Sequence, residues 1–482
     1  MKLSLFKYKV NILDTKLIIT GHFHFIGIGG IGMSAIAIAL IKKGYSVSGS
    51  DLINNKETEK LKGLGAIIFD KQIKSNISFI ISEFRNKTIN VVISSAIKDE
   101  NEELCFCKKN NLLIKHRSEI LAMIMKSYVS LSIAGSHGKT STSTFLSTLL
   151  ELCTGNSSSI TGGIIPIYKS NAHIENTKYL VTEIDESDGT INNYNSNIGI
   201  INNIDFDHCD YYANMDEVLS SFKTFACNSN KLLINYDCKI TKKNFTSINQ
   251  WSIKERNNIA YSIIPQILNK DKTIGKYYEH GNFIDTINIP IPGLHNLSNI
   301  TAAIAACRMI GVSFKKIKKN IKSLELPKKR FEFRGEFNKR TIYDDYAHHP
   351  NEIKATIDLA RLFIKNQNDS DKNENGRLIA IFQPHRFSRV KQFIYEFVEE
   401  LSKADVIYLT NIFGAGENNI DNINSQLIAN LIYKKNTNVT CLKDNYEMKD
   451  KFFILTKKND FILNMGAGDC HNLWSILNND HT

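Results

Sequence analysis

Lys139 and Thr140 close a short segment, Gly135-Ser136-His137-Gly138-Lys139-Thr140, lying between an apolar β-type run and a helical run. A lysine at this place can pair with the β- and γ-phosphates of a nucleotide, and the threonine hydroxyl can sit on Mg²⁺. A complete phosphate loop needs a glycine where this chain has Ile133, so only the compact G-x-x-G-K-T core is present. Acids and an imidazole follow at the ends of two later β-type runs. VTEIDESD supplies Glu183, Asp185, Glu186 and Asp188, and NNIDFDHCD supplies Asp205, Asp207, His208 and Asp210. Ligands gather at the carboxyl ends of parallel strands, so Glu183 and His208 can meet the same Mg²⁺-nucleotide as Thr140. Asp188 and Asp210 read equally well as solvated loop charges.

A second glycine loop lies near the start. Gly27, Gly29 and Gly32 form G-x-G-x-x-G after a β-type run and before a helical one, and Asp51 ends the next β-type run. Such glycines let backbone N–H groups and a helix N-terminus approach a pyrophosphate. NAD, or another nucleoside diphosphate such as a UDP-sugar, fits that geometry; a purely structural strand–helix turn is the plainer alternative. Two further segments carry chemistry late in the chain, DDYAHHP (Asp344 to Pro350) and QPHRFSR (Gln383 to Arg389). The planar forks of Arg386 and Arg389 suit a carboxylate or a phosphate. His348 and His349 read as surface groups or as contacts to an incoming substrate. NMGAGD, Asn464 to Asp469, offers another close backbone approach.

These residues need strands and helices to position them. HFHFIGIG, YSVSGSD, AIIF, ISFIIS and NVVISSAI read as strands, and GMSAIAIALIKKG as a helix ending at Gly44. YVSLSIAG, KYLVTEID, NIGIINNID and NKLLINY read as a second strand series, and GLHNLSNITAAIAACRMIG as a helix with one apolar face. LELPKKRFEFRGEFNKR is basic and turn-rich and reads as a hinge. RTIYDDYA, RLIAIFQPH, ADVIYLTNI and DFILNMGAGD are strands of a last unit, with NEIKATIDLARLFIK a helix. NQNDSDKNENG reads as a solvated insertion. The expected fold is α/β with three domains: a Rossmann-like domain over 1–125, with 1–20 a leading extension, a central P-loop-type domain with a parallel sheet over 126–327, and a Rossmann-like domain over 328–482.

Bulk properties agree with that plan. The 482 residues suit about three domains of ~150 residues. The net charge of +11 comes from lysines spread along the chain rather than from a basic block interleaved with aromatics, which argues against a nucleic-acid binder. Nine cysteines without a C-x-x-C pair fit a reduced cytosol and exclude a zinc ribbon. The uncharged run of 17 residues from Phe25 to Ile41 holds four glycines, so a buried strand–turn–helix explains it better than membrane insertion.

Taken in order, GIGGIGMSAIA, GSHGKTST, EIDESDGT, NNIDFDHCD, GLHNLSNITAA, DDYAHHPNE, QPHRFSR and GAGD resemble the Mur ligase family over roughly residues 21–475. The resemblance implies an ATP-dependent amide-forming ligase of cell-wall precursor synthesis, joining the lactyl carboxylate of UDP-N-acetylmuramate to L-alanine through an acyl phosphate. It implies a UDP-sugar site at Gly27, Gly29, Gly30, Ile31, Gly32, Met33, Asp51, Ser94, Ser95, His137, Glu186 and Ser187. It implies ATP contacts at Gly135, Ser136, His137, Gly138, Lys139, Thr140, Ser141, His295, Asn296, Asn299, Arg330 and Asp345. Thr140, Glu183 and His208 would hold two Mg²⁺ ions, and Tyr346, His348, Arg386 and Arg389 the amino acid. Lys139, Glu183, His208, His348 and Arg386 would carry the catalysis. A cytoplasmic monomer or weak homodimer is implied, with no nucleic-acid partner.

The chain departs from the family's commoner pattern at Ser136, Ser141, Ile184, Lys329 and Cys209, none of them a proposed metal ligand, and shows no counterpart of a modified metal-binding lysine. Three other readings remain open at this level. A recycling ligase would add a whole peptide to the same sugar, but typically carries E-Y-D where this chain has Glu186-Ser187-Asp188. A dehydrogenase leaves the G-K-T loop unexplained. A basic ATPase-like module leaves the late histidines and arginines unexplained.

Overall fold

A computed structural model describes residues 21–207, 211–368, 376–419 and 421–478. The expectations placed on residues 1–20, His208, Cys209 and Asp210 and on most of the polar insertion lie outside the described residues. Chain contacts define two compact units. One runs to Val129 and takes in Ser158–Gly162 and Asn171–Leu180; the other holds Ser130–Ser157, Gly163–Ser170 and everything from Val181 on.

The first sheet contains β1 (Gly21–Ile26), β2 (Ser46–Ser50), β3 (Ile67–Phe69), β4 (Thr88–Ile93) and β5 (Leu113–His116). Its order is β3-β2-β1-β4-β5 and every pair is parallel. The glycine loop follows central β1 and opens the helix Ile31–Lys42, which is buried continuously from Met33 to Leu40. That explains the long uncharged run: the helix is covered on every side and has no polar face to keep. The segment ISFIIS is not a strand. It belongs to the helix Lys74–Glu83, where Ile77 and Ile80 are buried and Phe79 is exposed, a spacing of helical period that a short apolar run conceals.

The second sheet holds β6 (Val129–Ala134), β7 (Ser157–Ile165), β8 (Ser170–His173), β9 (Tyr179–Glu183), β10 (Ser196–Ile201), β11 (Ser229–Asn235), β12 (Asn249–Ser252), β13 (Tyr261–Leu268), β14 (Thr273–Glu279) and β15 (Asn282–Ile289). Its order is β15-β14-β13-β12-β11-β10-β6-β9-β7-β8. From β6 through β13 on one side the pairing is parallel, and the β13–β14–β15 meander closes that edge antiparallel. The helix Lys139–Thr154 leaves β6 through Gly138 at φ +77 and stops at Gly155 at φ +58. Glycine takes these left-handed conformations without the strain a side chain would bring. It packs against the helix Leu294–Met309, which is buried without a break from Ile300 to Cys307 rather than along one face. Small alanines at 302, 303, 305 and 306 allow that burial.

The third sheet comprises β16 (Glu332–Phe337), β17 (Arg340–Asp345), β18 (Leu378–Phe382), β19 (Val406–Leu409), β20 (Val439–Cys441) and β21 (Phe461–Met465), in the order β16-β17-β21-β18-β19-β20. Within β18, Leu378, Ala380 and Phe382 join one core cluster while Ile379 and Ile381 join another. Successive side chains point to opposite faces, so both faces are covered, as a parallel sheet requires. The basic segment read as a hinge instead contributes β16, an antiparallel edge strand whose polar side chains suit its exposed position. Among the described residues, no helix is long and apolar enough to cross a membrane.

Candidate functional site

Gly135, at φ +143, turns the chain out of β6. Lys139 folds back over this loop. Its Nζ donates to the Gly135 carbonyl at 2.6 Å and to both oxygens of Glu186 at 2.8 Å. Burial opposes the lysine's charge, but Glu186, Asp185 and Glu183 outweigh it and raise its pKa. Thr140 Oγ1 donates to Glu183 Oε2 at 3.1 Å, and Ser143 Oγ to Oε1 at 2.8 Å. A hydroxyl and a carboxylate this close are the hard-oxygen set Mg²⁺ takes beside a nucleotide, the rest of its shell being water and phosphate. Among the described residues, no group of three or more His, Cys, Asp or Glu forms a complete metal cage.

Beside the loop lies a cavity of about 380 Å³. It is lined by His137, Gly138, Ser141, His295, Asn296, Asn299, Arg330 and Asp345, all named from the sequence, though Gly135, Ser136, Lys139 and Thr140 are not on its wall. Asn299 crowds Gly138, where a Cβ would stand 2.7 Å from its Oδ1. Asn296 Nδ2 donates to the Pro292 carbonyl at 2.9 Å, which fixes the helix start. Asp345 accepts the backbone N–H groups of Phe331 and Ala347, both at 2.7 Å. Its carboxyl is pushed up to about 6 by burial, against the pull of Arg330. His295 is lowered to about 4 by burial and by Arg330, so it is neutral at pH 7. Ser136 Oγ accepts the Asp205 N–H at 2.9 Å, holding the loop to the strand end after β10.

A group the sequence reading passed over sits at the centre of this region. Glu352, in the first turn of the helix Pro350–Asn368, is nearly buried and faces His137, Arg330 and His348. Its signal lay in the motif DDYAHHPNE, as an acid three residues past paired histidines at a helix start. Asn351 donates to Asp205 at 3.0 Å, and Asn202 and Asn203 reach the His137 carbonyl. Tyr346 lies under the Arg330 guanidinium at 5.5 Å, with the His348 ring edge-on at 5.4 Å.

The two candidate clamp arginines differ. Arg389 is buried, its Nε 3.1 Å and Nη2 3.3 Å from the Asp207 carboxylate. Arg386 is more exposed, adopts φ +66 at the head of the helix Phe387–Leu401, and stands 3.6 Å from Glu417. The His349 ring packs on His137 at 4.5 Å, and the His348 ring lies 5.8 Å from that of His385.

This histidine cluster carries a pH signature. Burial works against charge on His137, but Asp205 Oδ2 at 3.1 Å and Glu352 Oε1 at 3.4 Å prevail and hold its pKa near 9. A raised folded-state pKa stabilises below about 6.5, the unfolded value, and that stabilisation is lost as pH climbs toward 9. Burial lowers His348 to about 4 and His349 and His385 to about 3, and these neutral rings cost stability as pH falls below about 6.5. These histidines together place the melting-temperature maximum near pH 6.5, with stability falling on both sides. His137→Asn should flatten the alkaline limb and, by removing the charge that helps to lower His349, soften the acid limb to a lesser degree; thermal-shift profiles of the two proteins check this.

In the other unit, the glycine loop is braced by its own acid. Asp51 Oδ2 accepts Gly29 N–H at 2.8 Å and Oδ1 accepts Ile53 N–H at 3.0 Å. Gly27 has φ +82, Gly30 caps the helix, Ile31 is exposed, and Met33 turns into the core. Gly32 lies near Arg117, where a Cβ would stand 3.6 Å from Nη1. The Ser94 carbonyl accepts Ile97 N–H, and Ser95 Oγ lies 3.1 Å from His116 Nε2. His137, Glu186 and Ser187, the remaining residues of that predicted set, belong to the second unit, where Ser187 N–H bonds Asp185. A Cβ on Gly29 would come within 2.9 Å of Asp51 Oδ2 and Asn55 Nδ2. Gly29→Ala should cost about 1–3 kcal/mol in the first unit, read by chemical denaturation.

Three family models match the chain in order: Mur ligase family, catalytic domain, over residues 22–129; Mur ligase middle domain, over 133–307; and Mur ligase, glutamate ligase domain, over 329–468. The chain belongs to the Mur ligase family. A UDP-N-acetylmuramate–L-alanine ligase of Prochlorococcus marinus subsp. pastoris is 83% identical over 98% of this chain and 99% of its own length. One from Prochlorococcus marinus strain SARG is 45% identical over 93% and 95%. Among solved structures, the UDP-N-acetylmuramate-alanine ligase of Thermotoga maritima matches with a TM-score of 0.79 at 22% identity, covering 95% of this chain and 99% of that one. A murein peptide ligase of Psychrobacter arcticus matches with a TM-score of 0.67 at 20% identity, covering 95% and 99%. The Mur ligase fold of three α/β domains is thus the fold of this chain, and membership displaces the dehydrogenase and ATPase-module readings of its two loops.

Proposed function

We propose that this Mur ligase joins UDP-N-acetylmuramate to L-alanine, with ATP converted to ADP and phosphate, as a step in peptidoglycan precursor synthesis. The observation that carries the reading is the 83% identity, over nearly the full length of both chains, to a ligase named for that reaction. The division of labour follows the expected domains: 1–125 for the UDP-sugar, 126–327 for ATP and 328–482 for the amino acid. Its working place is the cytoplasm, as a monomer or weak homodimer.

A carboxylate resists attack by an amine. Transfer of the γ-phosphoryl group to a carboxylate oxygen gives an acyl phosphate and ADP. The amine nitrogen then bonds to the acyl carbon, the carbon–oxygen bond to phosphate breaks, and the nitrogen loses a proton. Positioning and charge neutralisation dominate such a reaction. Lys139 exchanges Glu186 for the β- and γ-phosphates, a swap its position on the loop supports. Asn296 and Asn299 take the adenine, and Arg330 and Asp345 take phosphate and ribose, each on the wall of the cavity. His137 and Ser187 lie toward the muramyl sugar. Tyr346, His348, Arg386 and Arg389 form the amino-acid pocket; the tighter pairing of Arg389 with Asp207 supports giving the carboxylate to Arg386, whose contact to Glu417 is longer. Thr140 and Glu183 would hold the Mg²⁺ of the nucleotide, with His208 toward a second ion, and that charge would offset the build-up on the γ-phosphate.

Phosphate release from ATP and Mg²⁺ tests the reading, with L-alanine, glycine, L-serine and L-Ala-γ-D-Glu-diaminopimelate compared as acceptors. Release that needs both UDP-N-acetylmuramate and L-alanine supports it. Release with the tripeptide alone would make the enzyme a recycling ligase.

A further inference from the structure

The Glu352 carboxylate is shared among groups from three parts of the second unit. Oε1 lies 3.4 Å from His137 Nδ1, which belongs to the phosphate loop, and 3.6 Å from Arg330 Nη1, which lines the nucleotide cavity. Oε2 accepts the His348 backbone N–H at 3.1 Å and lies 3.3 Å from that residue's Nδ1. A buried carboxylate is tolerated only when its oxygens are satisfied. Burial works against this one, yet His348, His137 and Arg330 hold it well below the ordinary carboxylate range. Incoming phosphates would compete for the same His137 and Arg330. Whatever they withdraw from Oε1 changes the hold of Glu352 on His348 through Oε2.

We infer that Glu352 is a positioning residue that couples the nucleotide site to the amino-acid pocket, so that occupancy of either site tightens the other. The inference rests on the ligase reading above. Coupling of this kind is reciprocal, because it is a free energy shared by two binding events. Glu352→Gln keeps the shape but removes the charge that His137, Arg330 and His348 share. Glu352→Asp keeps the charge on a shorter stem.

The test is calorimetric titration of the full chain with a non-hydrolysable ATP analogue and Mg²⁺, in saturating UDP-N-acetylmuramate, with and without L-alanine. In the wild type, L-alanine should tighten the analogue about fivefold or more. Glu352→Gln should bring that ratio to within about twofold of unity, and Glu352→Asp should restore part of it. A variant that merely folds less well would lower the bound fraction and the melting temperature but keep the wild-type ratio, and that result overturns the inference. So does a wild type without coupling. Wild-type turnover with L-alanine, measured on the same preparation, separates the two levels. If turnover is present while Glu352→Gln keeps its coupling, this inference alone fails; absent turnover removes the ligase reading and this inference together.

Discussion

Lys139→Ala should reduce turnover about 10³-fold, the scale of losing a preorganised charged donor from a water-poor site, while UDP-sugar binding survives. The side chain that would meet the phosphates is clamped by both oxygens of Glu186, itself only 2% exposed. Truncation therefore does two things. It removes the cation, and it takes from buried Glu186 the ammonium that both its oxygens contact, which lowers stability as well. A large fall in melting temperature would otherwise be mistaken for the whole effect. The double variant Lys139→Ala/Glu186→Gln also removes the buried carboxylate charge. It should recover most of the stability and none of the turnover. Recovery of phosphate release in the double variant would make the lysine structural and sink its assignment to the phosphates.

Arg386→Ala should raise the KM for L-alanine about 10- to 100-fold, the equivalent of losing one or two charge-assisted hydrogen bonds, with the KM for ATP changed less than about twofold. The choice of Arg386 over Arg389 follows from the pairing. Arg389 is already engaged by Asp207 in a buried bidentate contact, so Arg389→Ala should act chiefly on stability through the loss of that pair. Arg386, its side chain 29% exposed against 5% for Arg389, and its contact to Glu417 longer at 3.6 Å, is the more accessible to a substrate. Loss of ATP use with unchanged L-alanine use in Arg386→Ala would reverse the assignment.

Much of this was readable from local chemistry. Gly27 and Gly138 need positive φ, and a strand before and a helix after each loop are written in the hydrophobic period, so both loops and their flanking elements could be found from a few residues. The cavity-lining asparagines stood in a helix whose pattern was equally plain. The helix Lys74–Glu83 was not legible as such, because ISFIIS is apolar at both helical and strand spacing and only the burial of Ile77 and Ile80 decides between them. Burial of the helix Leu294–Met309 on all sides is set by what packs against it, which its own sequence does not contain. Glu352 was hidden for a related reason. Its importance is the convergence of His137, Arg330 and His348, and the first of these lies far from it in the chain. The Arg389–Asp207 pair, 182 residues apart, is of the same kind. Motifs announce residues that act through their own type; residues that act by joining motifs emerge only in the fold.

The most direct measurement follows one oxygen atom. UDP-N-acetylmuramate labelled with ¹⁸O in its lactyl carboxylate is incubated with ATP, Mg²⁺, L-alanine and the full chain, and the released phosphate is weighed by mass spectrometry. Phosphoryl transfer to that carboxylate, followed by amine attack at carbon, puts one labelled oxygen into each phosphate released. Phosphate without label, or release that continues without the sugar or without L-alanine, would contradict the account.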